Sequence, residues 1–138
     1  LVSGGNDHSF LQCRFVDNTR GLLAHGGIVS FISGLRVKDC EFLENTTVDF
    51  GTGASGDTIL ATLGEDTGVR NLICVDNDFG GGVTIPTDFV NIVGTSSGYM
   101  ARNTFASTTN ASATITIPAG ILYGPNGTEA GWSTARPA

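Results

Sequence analysis

A nine-residue pattern occurs twice in the first third of the chain and leaves few folds open to it. Phe10-Leu11-Gln12-Cys13-Arg14-Phe15-Val16-Asp17-Asn18 matches Val37-Lys38-Asp39-Cys40-Glu41-Phe42-Leu43-Glu44-Asn45 in the form apolar-x-x-Cys-x-Phe-x-acid-Asn. Two weaker copies follow, Cys74-Val75-Asp76-Asn77-Asp78-Phe79 and Met100-Ala101-Arg102-Asn103-Thr104-Phe105, with Asn in the Cys position. The anchoring phenylalanines are separated by 27, 37 and 26 residues. A chain that returns the same residues at a near-constant interval is built as a solenoid, each coil stacking on the last over a shared core. The middle interval carries about ten extra residues, expected to bulge as a loop between Phe50 and Gly68, where Gly51-Thr52-Gly53-Ala54-Ser55-Gly56-Asp57 has turn chemistry.

Between the phenylalanines lie short β-rich runs: Gly27 to Ile32, Thr58 to Leu63, Phe89 to Val93 and Ala113 to Ile117. No segment sustains the apolar spacing of an amphipathic helix, so almost no helix is expected. A β-sandwich would also give short strands between turn residues, but it has no reason to repeat the same side chains at this period. The reading is all-β, a parallel β-helix of about four coils over residues 1–117, followed by an irregular capping or contact tail over 118–138.

The combination apolar-x-x-Asn/Cys-x-Phe-x-x-Asn, as in Phe10 to Asn18 and Val37 to Asn45, resembles the coil signature of the pectate-lyase-like right-handed parallel β-helices. That superfamily includes polysaccharide lyases, polygalacturonases and bacteriophage tailspikes, and the resemblance covers roughly Phe10 to Phe105. It implies that Cys13, Cys40, Asn77 and Asn103 form one ladder beside a tight turn, and that Phe15, Phe42, Phe79 and Phe105 form another in the core. Buried amides stacked in this way can satisfy one another and the backbone.

Composition narrows the function. With 13 acidic and 7 basic residues the formal charge is -6, which disfavours a phosphate backbone as partner, since nucleic-acid affinity comes mostly from Lys and Arg. No apolar run approaches the roughly 18 residues of a membrane-spanning helix, so a soluble chain without membrane contact is expected. Cys13, Cys40 and Cys74 form no even disulfide framework and no C-x-x-C motif, and read as core residues. A missing initiator Met and signal pattern suggest a processed or excised chain.

Outward columns of such a stack are where chemistry would sit. Three residues before each anchoring Phe the column reads Gln12, Asp39, Asp76, Arg102; one residue before, it reads Arg14, Glu41, Asp78, Thr104. Asp39, Glu41, Asp76 and Asp78 therefore gather on the middle coils, with Arg14 and Arg102 bracketing them. Three readings stay open: a solvated acidic face, a Ca²⁺ site with Asp39 and Asp76 as candidate ligands, and a glycan site. Were the chain an enzyme, these four carboxylates would be its catalytic candidates, but the segments that polygalacturonases use are not intact. Ala24-His25-Gly26-Gly27 lacks the leading Gly of a Gly-His-Gly segment, and His25 and His8 read as loop residues. Asn45-Thr46-Thr47, Asn110-Ala111-Ser112 and Asn126-Gly127-Thr128 fit the glycosylation sequon by chance composition. Gly80-Gly81-Gly82 reads as a tight corner, not a phosphate loop.

A solenoid has two open ends that must be covered. The start of the chain has no capping helix, so its first coil is expected to be covered either by upstream sequence or by another subunit, in a trimer by analogy with tailspikes, or by other virion proteins as partners. Tyr123 and Trp132, the large aromatics of the tail, are the candidate interface residues. The expected function is a non-catalytic structural or adhesive surface module of a phage virion, extracellular or particle-bound, tailspike-like or capsid-decorating. The alternatives are a lyase or hydrolase fragment acting on acidic polysaccharide and a cell-surface adhesin domain.

Overall fold

The computed structural model describes residues 2–3, 5–25, 32–51, 68–92, 96–106, 114–128 and 131–133. The protein is an all-β parallel solenoid, with no helix among the described residues. Its strands make four walls. The first holds β1 (Val2–Ser3), β5 (Arg20–His25), β9 (Val48–Gly51), β13 (Asp88–Asn91) and β16 (Thr114–Thr116). The second is short, with β2 (Gly5–Asn6), β6 (Ile32–Ser33) and β10 (Val69–Arg70). The third holds β3 (Ser9–Leu11), β7 (Arg36–Lys38), β11 (Leu72–Val75), β14 (Gly98–Ala101) and β17 (Ile121–Tyr123). The fourth holds β4 (Arg14–Val16), β8 (Glu41–Leu43), β12 (Asp78–Gly81), β15 (Thr104–Phe105), β18 (Asn126–Thr128) and β19 (Gly131–Ser133). The chain visits the walls in turn and returns one rung further along, with no second-wall strand among the described residues after β13 and β16, and it makes about four coils.

The repeat sets the vertical register. Phe15 pairs with Phe42 and Phe79 with Phe105 across parallel strands. The four rings form a continuous stack, with centroids 4.9, 4.8 and 5.1 Å apart and planes 12° from parallel. These separations match the spacing of about 4.8 Å between hydrogen-bonded strands, so identical residues in register bring their rings into contact without distorting the backbone. Around the stack, Val37, Cys74 and Met100 follow one another on the third wall, and Leu22 and Phe50 on the first. All five are buried.

The corner between the third and fourth walls explains the ladder beside it. Gln12, Asp39, Asp76 and Arg102 all adopt left-handed backbone angles, with φ of 53°, 53°, 58° and 55°. One such residue turns the chain sharply enough for the next side chain to point inward. Each corner N–H still donates to the coil above, to the carbonyl of Lys38, Val75, Ala101 or Pro125 respectively. The inward residue is Cys13, Cys40, Asn77 or Asn103, as the resemblance implied. Asn77 Oδ1 accepts from Cys40 N at 3.0 Å, and Asn77 Nδ2 donates to Asn103 Oδ1 at 2.9 Å.

The ladder continues beyond the expected repeat. Asn103 Nδ2 donates to Asn126 Oδ1 at 3.0 Å, which makes Asn126 its next rung. The segment from residue 118 therefore extends the stack: β17 and β18 pair in parallel with β14 and β15. Strand β19 then reverses and pairs antiparallel with β18, Trp132 opposite Gly127, covering the last edge of the fourth wall. At the other end the first coil stays half open. Phe10, Cys13 and Phe15 are partly buried where Val37, Cys40 and Phe42 are fully buried.

Of the glycine corner expected after the third Phe, Gly80 and Gly81 still belong to β12, whose pairing with β8 shifts register there, and Gly82, with φ of +93°, follows the strand. Gly80 itself has φ of +73°, and a Cβ there would run into the Phe89 ring. The extra-residue loop and the strands expected at 27–31 and 58–63 lie outside the described residues.

Candidate functional site

The two outward columns read from the sequence meet along the corner between the third and fourth walls. Asp39, Glu41, Asp76, Asp78, Arg102 and Thr104 line a depression of about 350 Å³ together with Cys40 and Asn77 at its floor. A second depression, of about 500 Å³, adjoins it toward the first coil and is lined by Gln12, Cys13, Arg14, Asp39 and Glu41. The two form one shallow groove running along the stack, with Asp39 and Glu41 common to both. Neighbouring carboxylates are stacked because Asp78 pairs with Glu41, and Arg14 with Glu41, across parallel strands.

The acids are not left to face one another alone. Arg14 Nε donates to Glu41 Oε2 at 2.6 Å. Arg102 forms a two-pronged pair with Asp76, Nε to Oδ1 at 2.7 Å and Nη2 to Oδ2 at 2.9 Å. The Lys38 ammonium lies 3.7 Å from Asp39, and the Thr104 hydroxyl donates to Asp78. The bond to the Arg102 guanidinium holds the Asp76 carboxyl below the usual carboxylate range, and the same bond raises the Arg102 guanidinium. A lowered Asp76 has no proton to give near neutrality, which is the wrong direction for a general acid. What the groove offers is a fixed pattern of charged donors and acceptors at an open surface.

Beside the groove stands a feature that the sequence reading missed. The outward column of the third wall runs Arg36, Ile73, Tyr99 and Leu122 in register. Ile73, Tyr99 and Leu122 are 39, 38 and 70% exposed. The signal was present in part, since Arg36, Ile73 and Tyr99 each lie six residues before an anchoring Phe, whereas Leu122 lies six before Thr128. The Tyr99 hydroxyl end lies over Gly124, where a Cβ would meet it at 2.9 Å, so the ring spans from its own rung to the next.

Other expected site residues fall elsewhere. Tyr123 is half-buried, packs against the core, and has its phenol pushed up by burial. Trp132 is on β19, and its side chain lies outside the described residues, as does that of His25. Asn45 and Asn126 are buried and hydrogen-bonded, Asn45 Nδ2 to Asp49 Oδ1 at 2.9 Å, so neither amide presents a modification site. Asn110 lies outside the described residues. For the Ca²⁺ reading of Asp39 and Asp76, no group of three or more His, Cys, Asp or Glu side chains placed to hold a metal ion occurs among the described residues.

Sequence reasoning also missed the buried Asp49, which accepts from Asn45 Nδ2 and, at 2.8 Å, from Gly80 N. Burial pushes its carboxyl up to about 6, against the lowering effect of those two bonds.

No family model, curated protein or solved structure matches the chain. Among the described residues, no helix is long and apolar enough to cross a membrane.

Proposed function

We propose that the chain is a non-catalytic adhesive surface module that binds a glycan along the groove of its third and fourth walls. The observation that carries this reading is the joining of two surfaces. A preorganised Arg102–Asp76 pair stands at one corner, and the apolar column of Ile73, Tyr99 and Leu122 lies on the wall next to it. Sugars combine hydroxyl edges with apolar C–H faces, and a site pairing fixed charged hydrogen-bonding groups with an exposed aromatic ring suits both. The net charge of -6 favours a neutral glycan over an acidic one.

The likeness in coil signature to pectate-lyase-like β-helices supports a module of the tailspike or capsid-decorating kind, displayed on a virion or another extracellular surface. Fold-level analogy alone supports that placement. Assembly into an oligomer, a trimer by the same analogy, or against other virion proteins would cover Phe10 and Phe15, which are partly buried on the first coil. Light scattering on the purified chain tests assembly, and a monodisperse monomer at high concentration would overturn it.

Glycan binding is tested on an array of neutral and acidic oligosaccharides. Binding that falls at least about tenfold in Tyr99→Ala and in Arg102→Ala supports the reading. Equal binding by wild type and both variants, or no binding, overturns it.

A polysaccharide lyase or hydrolase is the second reading, favoured by the four carboxylates Asp39, Glu41, Asp76 and Asp78 stacked in one groove. Release of unsaturated or reducing ends from polyuronates, abolished in Asp76→Asn, would establish it in place of the first.

A further inference from the structure

The inward corner ladder changes chemistry along its length. Its upper rungs are the amides Asn77, Asn103 and Asn126, each bonded to the next. Its two lowest rungs, nearest the half-open end, are both thiols, Cys13 and Cys40. They lie in the same column: Arg14 pairs with Glu41 in register, and Glu41 N donates to the Cys13 carbonyl at 2.9 Å. Residues one rung apart in a parallel stack are separated by roughly 4.8 Å at Cα, inside the window of roughly 4.4–6.8 Å that a disulfide needs. Each thiol turns back to the carbonyl two residues earlier, Cys13 Sγ to Leu11 at 3.5 Å and Cys40 Sγ to Lys38 at 3.3 Å, and Cys40 Sγ also reaches the Phe10 carbonyl on the rung of Cys13 at 3.4 Å. Both are free thiols here.

We propose that Cys13 and Cys40 form a reversible cross-link that closes the first coil onto the second under oxidising conditions. The oxidant is a low-molecular-weight disulfide. The Cys13 thiolate attacks one of its sulfurs, forming a mixed disulfide and releasing the first small thiolate. Cys40 then loses its proton, attacks the Cys13 sulfur and expels the second. Two protein thiols are oxidised by two electrons, and the small disulfide is reduced to two thiols that take up both protons. Cys13 reacts first because it is partly exposed on the open end, whereas Cys40 is only 1% exposed. Burial pushes the Cys40 thiol up, so it acts as the resolving partner after Cys13 has been engaged.

Cys74 is excluded from this chemistry. It lies in a different column, in register with Val37 and Met100, is fully buried, and has its thiol pushed far up by burial. The cross-link would act on the coil with least support. Among the described residues β3 and β4 pair only with β7 and β8, so they form the edge of their walls. Tying residue 13 to residue 40 removes conformational freedom from the opened first coil and leaves the rest of the stack unchanged.

The test incubates the folded chain with oxidised glutathione, then alkylates remaining thiols under denaturing conditions and maps the peptides without reduction. The expected product after denaturation is a single chain with no disulfide to another copy, two hydrogens lost in a Cys13–Cys40 link, and one alkyl group, on Cys74. Amide exchange in β3 and β4 should slow at least about tenfold and recover on reduction. In Cys40→Ser the reaction should stop at a glutathione adduct on Cys13. Three alkylatable thiols after oxidation, a link that includes Cys74, or dimers joined through Cys13 would each overturn the proposal. So would a Cys13 adduct in the wild-type chain that Cys40 never resolves.

Discussion

The side-chain oxygen of Asn103 accepts two hydrogen bonds from Asn77, one from its backbone N at 3.0 Å and one from its side-chain Nδ2 at 2.9 Å. Asn77 holds the rung below in the same way, accepting from Cys40 N, and its Nδ2 also reaches the Val37 carbonyl at 2.9 Å. Every amide in the ladder thus binds backbone and side chain at once, and it is this reciprocity that lets polar groups occupy a core.

Removing one rung should therefore cost more than one hydrogen bond. Asn77→Ala leaves Cys40 N in a dry interior without its acceptor, and removes the side-chain bonds to the Val37 carbonyl and to Asn103 Oδ1. A loss of about 2–4 kcal/mol is expected, from one buried N–H left unpaired at about 1–3 kcal/mol and the lost bonds at about 0.5–1.5 kcal/mol each. Urea denaturation measures it, and a loss below about 1 kcal/mol would mean that the ladder contributes little.

The Phe stack gives a graded prediction. Phe42 has rings on both sides and is fully buried, whereas Phe15 ends the stack and is partly exposed. Phe42→Ala should cost about 3–5 kcal/mol, and Phe15→Ala clearly less, because a site at the open end leaves a smaller enclosed cavity. Equal losses would show that the first coil is covered in solution.

Asp49 makes stability depend on pH. Its carboxyl is pushed up to about 6 in the folded chain, above its value when unfolded, so the folded state holds this proton more tightly. Its contribution is then greatest below about pH 4 and is lost as pH rises to about 6, a change of about 3 kcal/mol at 1.36 kcal/mol per pKa unit. Denaturation midpoints between pH 3 and 7, compared for wild type and Asp49→Asn, check this. The variant should lose most of the fall across that window.

Glu44 closes the corner that follows the glycine run. Its Oε1 accepts from Val83 N and its Oε2 from Thr84 N, both at 2.7 Å, and the bond from the Thr84 side chain, followed by these two, holds its carboxyl below the ordinary value. Glu44→Gln should speed amide exchange at Val83 and Thr84 while leaving β8 and β12 unchanged. Because the folded pKa is lowered, the same loosening should appear in wild type as pH falls through it. Unchanged exchange in both experiments would rule out the clamp.

The vertical order of this molecule was legible in its residues. Spacings of 27 and 26 between Phe-centred copies set which side chains stack, and the Cys/Asn and Phe columns followed, because a parallel stack turns sequence period directly into contact. The gathering of Asp39, Glu41, Asp76 and Asp78 in one groove followed from the same register. The last coil was harder to read, since Thr128 stands where a Phe would and the interval from Asn103 to Asn126 shortens to 23. Its signature survives only as Tyr123-Gly124-Pro125-Asn126.

What the tertiary structure alone decided is which polar groups find partners and which are shut away from water. The sequence brought Arg102 and Asp76 into one column, but their two-pronged pairing depends on the left-handed corner that aims both side chains along the stack. In Val48-Asp49-Phe50, simple alternation would send Asp49 outward, yet all three residues are buried because the neighbouring corner brings Gly80 N and the Asn45 amide to the carboxylate. Period is a local property of the chain and can be counted. Burial and pairing are set by what the adjacent walls bring to each position, and that is known only once the coils are stacked.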